Sequence, residues 1–162
     1  MNRINRLYLI SILTIFVLTK LFIMWTKSYS VTTKEVTKEQ IWKLTSDIDH
    51  WKDWDETVEY SKLLGEFKAG EYFILKPKGG PKVKIKLVEI ISQRKFTDLT
   101  SFPLAKMYGE HLYEETENGL KITITMSVKG LFSALWIKLV ANDIVKNLPE
   151  DIANQIKTAK KL

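Results

Sequence analysis

The sequence predicts an α+β fold in which a curved antiparallel sheet of about seven strands wraps a long C-terminal helix. Three observations lead there. The elements run in the order strand, short helices, strands only, closing helix. The hydrophobic period changes to two at Val58 and back to a helical repeat after Leu131. The turns Gly79-Gly80-Pro81 and Glu117-Asn118-Gly119 are too short to join parallel strands.

Residues 1–27 differ in composition from the rest. They hold four cations (Arg3, Arg6, Lys20, Lys27) and no acid, which leaves 21 cations against 19 acids for residues 28–162. The basic isoelectric point thus comes mostly from this segment, and nucleic acid is not an expected partner of the nearly balanced remainder. Leu7 to Trp25 is a run of 19 residues with Lys20 as its only charge. As a helix it would span roughly 28 Å, about one hydrocarbon core. Tyr8 and Trp25 near its ends suit the membrane interface. We expect residues 1–27 to be a single-pass anchor, with 28–162 as the folded domain. A cleaved signal peptide ending near Ser28-Tyr29-Ser30 is the alternative. Arg3 and Arg6 favour the N-terminal side inside and the domain on the extracytoplasmic side, although Lys27, Lys34 and Lys38 oppose this.

Ser28 to Val36 reads as the first strand, with β-branched Val31, Thr32, Thr33 and Val36. Thr37 and Gln40 form a capping box for a helix over Lys38 to Ser46, whose apolar side is Ile41, Trp42 and Leu44. Asp47 to Asp55 makes a second short helical or turn segment. Gly65 and Gly70 bracket a turn. Lys82 to Leu87 alternates, with Val83, Ile85 and Leu87 on one face and Lys82, Lys84 and Lys86 on the other. Leu120 to Val128 does the same, burying Ile122, Ile124, Met126 and Val128. From Leu131, apolar residues recur every fourth position (Phe132, Trp136, Val140, Ile144, Leu148, Ile152, Ile156), with Leu135, Leu139 and Val145 beside them, as one stripe lying on the sheet. Pro149 predicts a kink or break near Asn147 to Pro149.

These marks, in order, resemble the START-like helix-grip superfamily (SRPBCC), especially its polyketide cyclase/dehydrase and lipid-transport branch. They are Ile41-Trp42 in the first helix, Asp47, Trp51 and Trp54 after it, Gly65 and Gly70, and Gly130 before the last helix. The resemblance covers about Ser28 to Leu162. It implies a deep cavity between sheet and last helix that takes apolar or amphipathic small molecules. It offers no shared catalytic motif, so no catalytic residue is carried over.

The chain has no Cys, which excludes disulfides, zinc-thiolate sites and thiol catalysis. No phosphate loop or nucleophile elbow is present, and we expect no cofactor. His50 lies among Asp47, Asp49, Asp53 and Asp55. Trp51 and Lys52 occupy positions where a calcium loop needs acids, so this is read as a solvated turn and no metal is expected. Within Met107 to Tyr113, His111 shares a face with Met107, Gly109 and Tyr113; the opposite face carries Glu110 and Glu114, which are costly to bury. His111 and Tyr113 are therefore expected inside, as ligand contacts or, in an enzyme of the cyclase or dehydratase type, as proton-transfer groups. Phe102, Met107, Met126, Trp136 and Val140 complete the candidate cavity residues, because Met and aromatics adapt to varied apolar guests. Trp42, Trp51 and Trp54 are read chiefly as core. Lys82, Lys84 and Lys86 are candidates to meet anionic headgroups at a membrane surface, against the alternative of a solvated outer face.

Overall fold

The computed structural model describes residues 24–162. The expected anchor lies outside the described residues apart from its last few positions. Those positions are strand: β1 runs Met24–Thr33, starting earlier than Ser28 and ending before Val36. It starts early because β7 (Gly119–Lys129) extends far enough to pair with it, Met24 opposite Lys129 and Thr33 opposite Leu120. Hydroxyls join the two strands on one face: Thr26 to Ser127 at 3.0 Å, Ser28 to Thr125 at 2.9 Å and Ser30 to Thr123 at 2.9 Å. Among the described residues no helix is long and apolar enough to cross a membrane.

Helix α1 (Lys38–Ser46) has the expected capping box. The Gln40 N–H donates to Thr37 Oγ1 at 3.3 Å and the Thr37 N–H to Gln40 Oε1 at 2.9 Å. A 3₁₀ turn, Ile48–Asp53, comes next. Then come β2 (Val58–Leu63), β3 (Tyr72–Pro77), β4 (Val83–Ile91), β5 (Lys95–Phe102), β6 (Ala105–Thr116) and β7. The seven strands form one antiparallel sheet in the order β1-β7-β6-β5-β4-β3-β2. A bulge between Leu87 and Glu89 adds local twist, which helps the sheet curl.

The C-terminal helix starts as α2 (Ser133–Trp136), passes through a π-helical turn (Ile137–Ala141) and continues as α3 (Asn142–Ala159). Pro149 lies inside α3, which continues through it. The break in helical register is at the π turn, a full two turns earlier than Pro149 suggests. Such a turn carries one extra residue and re-phases the side chains on either side of it. Trp136, Val140, Ile144 and Leu148 of the expected stripe face the sheet and Ile152 is buried, whereas Phe132 at its start and the flanking Leu135 and Leu139 are exposed.

The core between sheet and helices includes Ile41, Ile48, Phe73, Leu87, Phe96, Ile122, Val128, Leu148 and Ile152. Trp42 packs edge-on against Phe67, Phe96 and Tyr113. Trp51 donates from Nε1 to the Thr45 carbonyl at 2.9 Å and packs on Trp54 and Phe73.

One rim of the sheet gathers both cations and the start of the last helix. The ladder puts Met24 beside Lys129, Lys129 beside Lys106, Phe102 beside Ala105 and the Gly79–Pro81 turn just beyond Val83. The C-terminal helix begins at this rim. Gly130 has φ +121°, and a β-carbon on it would stand 2.5 Å from the Leu104 carbonyl oxygen, so a larger residue would not fit.

Candidate functional site

The concave face of the sheet and the C-terminal helix do not close on one another. Between them lies a cavity of about 690 Å³, mostly apolar in lining. Alternation along the strands aims every second side chain into it: Phe73 and Leu75 from β3, Val83 and Ile85 from β4, Phe96, Asp98, Thr100 and Phe102 from β5, Met107 and His111 from β6. Ile124 and Met126 of β7 complete the sheet side, and Trp51 and Trp54 lie at one flank.

Of the residues expected to line it, Phe102, Met107, His111, Met126, Trp136 and Val140 do so. Phe102 and Trp136 stack with ring centroids 4.3 Å apart, and Trp136 Nε1 donates to the Pro103 carbonyl at 3.1 Å. Tyr113 is the exception. It shares the inward face, but α1 covers it; it is fully buried and donates from its hydroxyl to Thr45 Oγ1 at 3.1 Å. Burial holds its phenol well above the ordinary range. The expected His111–Tyr113 pair does not meet in the cavity.

His111 has a different neighbour. Its ring stacks on Phe96 at 4.1 Å, its Nε2 lies 3.7 Å from Asp98 Oδ2, and its Nδ1 is buried without a partner. Asp98 stands opposite Gly109, whose missing side chain leaves room for the carboxylate.

The helix contributes a polar stripe absent from the sequence-based expectation. Asp143, Asn147, Asp151 and Gln155, each four residues apart, all line the cavity. The apolar residues Val140, Ile144 and Leu148 run alongside. The fourfold spacing of the polar residues is a legible signal, but the apolar stripe one position away masks it. Burial pushes the Asp151 carboxyl up to about 7, with help from the nearby charges of Asp55 and Glu150. Gln155 is 2% exposed and its Oε1 has no partner. The cavity's charged groups are four carboxylates (Asp55, Asp98, Asp143, Asp151) and Lys78.

Lys82, Lys84 and Lys86 lie off the cavity, on the outer face of β4 and the turn before it. Lys82 sits 5.1 Å from the Tyr60 ring centroid, and Lys84 and Lys86 sit 4.4 and 5.7 Å from that of Tyr72. His50 is exposed and bonded through Nδ1 to Asp47 at 2.9 Å, which holds its pKa above the ordinary value. Among the described residues no group of His, Asp and Glu is arranged to hold a metal ion.

Solved structures of similar shape share little sequence. A hypothetical protein from Helicobacter pylori superposes with a TM-score of 0.68 at 14% identity, covering 83% of this chain and 88% of the other. Norcoclaurine synthase from Thalictrum flavum, in complex with dopamine and hydroxybenzaldehyde, gives 0.66 at 12% identity, with 89% and 90% covered. A START superfamily protein from Mycobacterium smegmatis gives 0.62 at 12%, with 83% and 97% covered. At these identities the likeness establishes the fold alone. No curated protein matches the sequence. A family model described as "Polyketide cyclase / dehydrase and lipid transport" matches residues 24–156. The chain belongs to the polyketide cyclase / dehydrase and lipid transport family.

Proposed function

We propose that this protein is a membrane-tethered binding domain that holds an apolar or amphipathic small molecule, as carrier, sensor or scavenger. The observation that carries the reading is the cavity: at about 690 Å³ it lies within the range of small-molecule sites, apolar with a few convergent polar groups. A solid core would fill this space. The stacked Phe102–Trp136 pair and the adaptable Met107 and Met126 are suited to a guest with an apolar body.

The tether rests on the apolar run of residues 7–23, since Met24 and Trp25 belong to β1, and on the rim where the described chain begins. Leu104 (60% exposed) and Phe132, whose N–H donates to the Leu104 carbonyl, stand at that rim, and Leu131, Leu135 and Leu139 (56% exposed) are exposed at the start of the helix that leaves it. Lys78, Lys82, Lys106 and Lys129 share that rim. Exposed apolar residues bordered by cations suit an anionic bilayer surface. Lys78, Phe102, Trp136 and Leu139 also line the cavity, which therefore reaches this rim. A domain tethered here would open toward the lipid, on the extracytoplasmic side if Arg3 and Arg6 stay inside.

Native mass spectrometry of the full chain tests this, with identification of whatever is released on denaturation. An apolar adduct at one per chain, lost in Met126→Ala and in Trp136→Ala, is the expected result. An adduct retained by both variants would place the guest elsewhere.

An enzyme using the same cavity is the second reading. The contact between His111 and Asp98 favours it, since a carboxylate beside an imidazole can orient it for proton transfer. Turnover of a bound guest that disappears in His111→Ala would establish it.

A further inference from the structure

We infer that the guest carries a cation: an amphiphile whose apolar body lies against Phe102, Met126 and Trp136 and whose protonated amine sits among Asp55, Asp98 and Asp151. This rests on the cavity being a binding site, and it names the chemical class bound.

The cavity's charge is lopsided. Four carboxylates face one ammonium, in a space walled mostly by carbon. Among the described residues, no Lys or Arg pairs with Asp55, Asp98, Asp143 or Asp151. Several acids outside the cavity have such a partner: Asp49 meets Lys62, Glu59 meets Lys76, and Glu89 and Glu110 share Lys95. Asp143 is exposed, and Asp55 accepts from the Thr57 N–H at 2.8 Å and hydroxyl at 2.6 Å, but Asp98 and Asp151 are half-buried with no Lys or Arg beside them, and the field they leave favours a cation from outside.

A second observation points the same way. Gln155, one turn beyond Asp151 on the same helix face, is buried and lines the cavity, with its Oε1 acceptor unmet. An ammonium brings three donors and no acceptor, which suits a wall of unmatched acceptors. Trp51 and Trp54 flank Asp55 with ring faces that also attract cations. The Trp54 Nε1 donor is buried and unpartnered too, leaving room for a hydroxyl or ether oxygen on the same guest. An anionic guest such as a fatty acid would meet Asp55, Asp98 and Asp143 as like charges, with Asp151 partly protonated near neutral pH, and Lys78 alone as the opposite one.

The test uses three probes with one aromatic body: naphthylethylamine, naphthylethanol and naphthylacetate. Each is titrated against the full chain in zwitterionic lipid nanodiscs, with empty nanodiscs as reference. We expect the amine to bind about tenfold more tightly than the alcohol, and the acetate most weakly. Asp151→Asn, and separately Asp98→Asn, should bring the amine and the alcohol within about threefold of each other. Equal binding of all three, or a preference for the acetate, would overturn the inference and leave the cavity reading standing. Binding of none would remove both. Discrimination that survives in both variants, each confirmed folded by its melting curve, would also overturn it.

Discussion

Gly109 faces Asp98 across the β5–β6 ladder so closely that a β-carbon on Gly109 would stand 2.8 Å from Asp98 Oδ2. The missing side chain is what lets the carboxylate lie over the strand and reach within 3.7 Å of His111 Nε2. Gly109→Ala should therefore act on the site more than on the fold. Alanine suits a strand better than glycine by about 0.5–1 kcal/mol, which offsets the cost of moving one short side chain. We expect a melting temperature within a few degrees of the parent and amine binding weakened severalfold. A large loss of stability with unchanged binding would show that the contact serves packing alone.

Tyr113 and Thr45 are tied by a buried hydrogen bond of 3.1 Å. Tyr113→Phe removes the donor and leaves Thr45 Oγ1 still donating to the Ile41 carbonyl. We expect a loss of about 0.5–1.5 kcal/mol in chemical denaturation, with guest uptake unchanged because Tyr113 does not line the cavity. Uptake or turnover that falls in Tyr113→Phe would restore a functional role for this residue.

That outcome bears on what the sequence could reveal. Alternation correctly places His111 and Tyr113 on one face, because a strand's period of two is a local property. It cannot say that α1 covers one end of that face and leaves the other open, since this depends on where a helix 68 residues earlier in the chain is packed. The capping box at Thr37, the hairpin turns and the buried faces of β4 and β7 are set by neighbouring residues, and all are legible. The C-terminal helix is legible only in part. The fourfold repeat from Trp136 to Leu148 does face the sheet, but the π turn at Ile137–Ala141 leaves no mark in the local pattern, and neither does the exposure of the flanking Leu135 and Leu139. Asp98 gives no signal in the sequence, because an acid in a strand usually faces solvent. Its inward position comes from the register with Gly109.

Asp151 should make stability depend on pH. Unfolded, its carboxyl ionises near 4; folded, burial and the neighbouring Asp55 and Glu150 raise it to about 7. Between these values the folded state binds more protons, so stability falls as pH rises from about 4 to about 7 and levels off above. The full shift would correspond to ~4 kcal/mol, but the group keeps solvent access, so we expect ~1–2 kcal/mol. Asp151→Asn should flatten this part of the curve and be the more stable protein at pH 8. Identical profiles for parent and variant would mean that Asp151 is ionised in the folded state at neutral pH.

Leu104 allows the rim to be tested without confusing docking with folding. It sits at φ +56° in the β5–β6 turn, a left-handed conformation that strains a residue with a β-carbon, and it is 60% exposed. Neither backbone preference nor core packing accounts for a leucine there. Leu104→Gly should relieve the strain and stabilise the fold by ~1 kcal/mol, while removing apolar surface from the rim. Phe132→Glu and Leu135→Glu replace exposed side chains that do not line the cavity and should leave the melting temperature nearly unchanged. If the rim lies on the bilayer, all three variants should show reduced guest transfer between the nanodisc-held protein and anionic vesicles, and the two glutamate variants should lose most. Transfer that tracks stability instead, rising in Leu104→Gly, would leave the rim with no part in membrane contact.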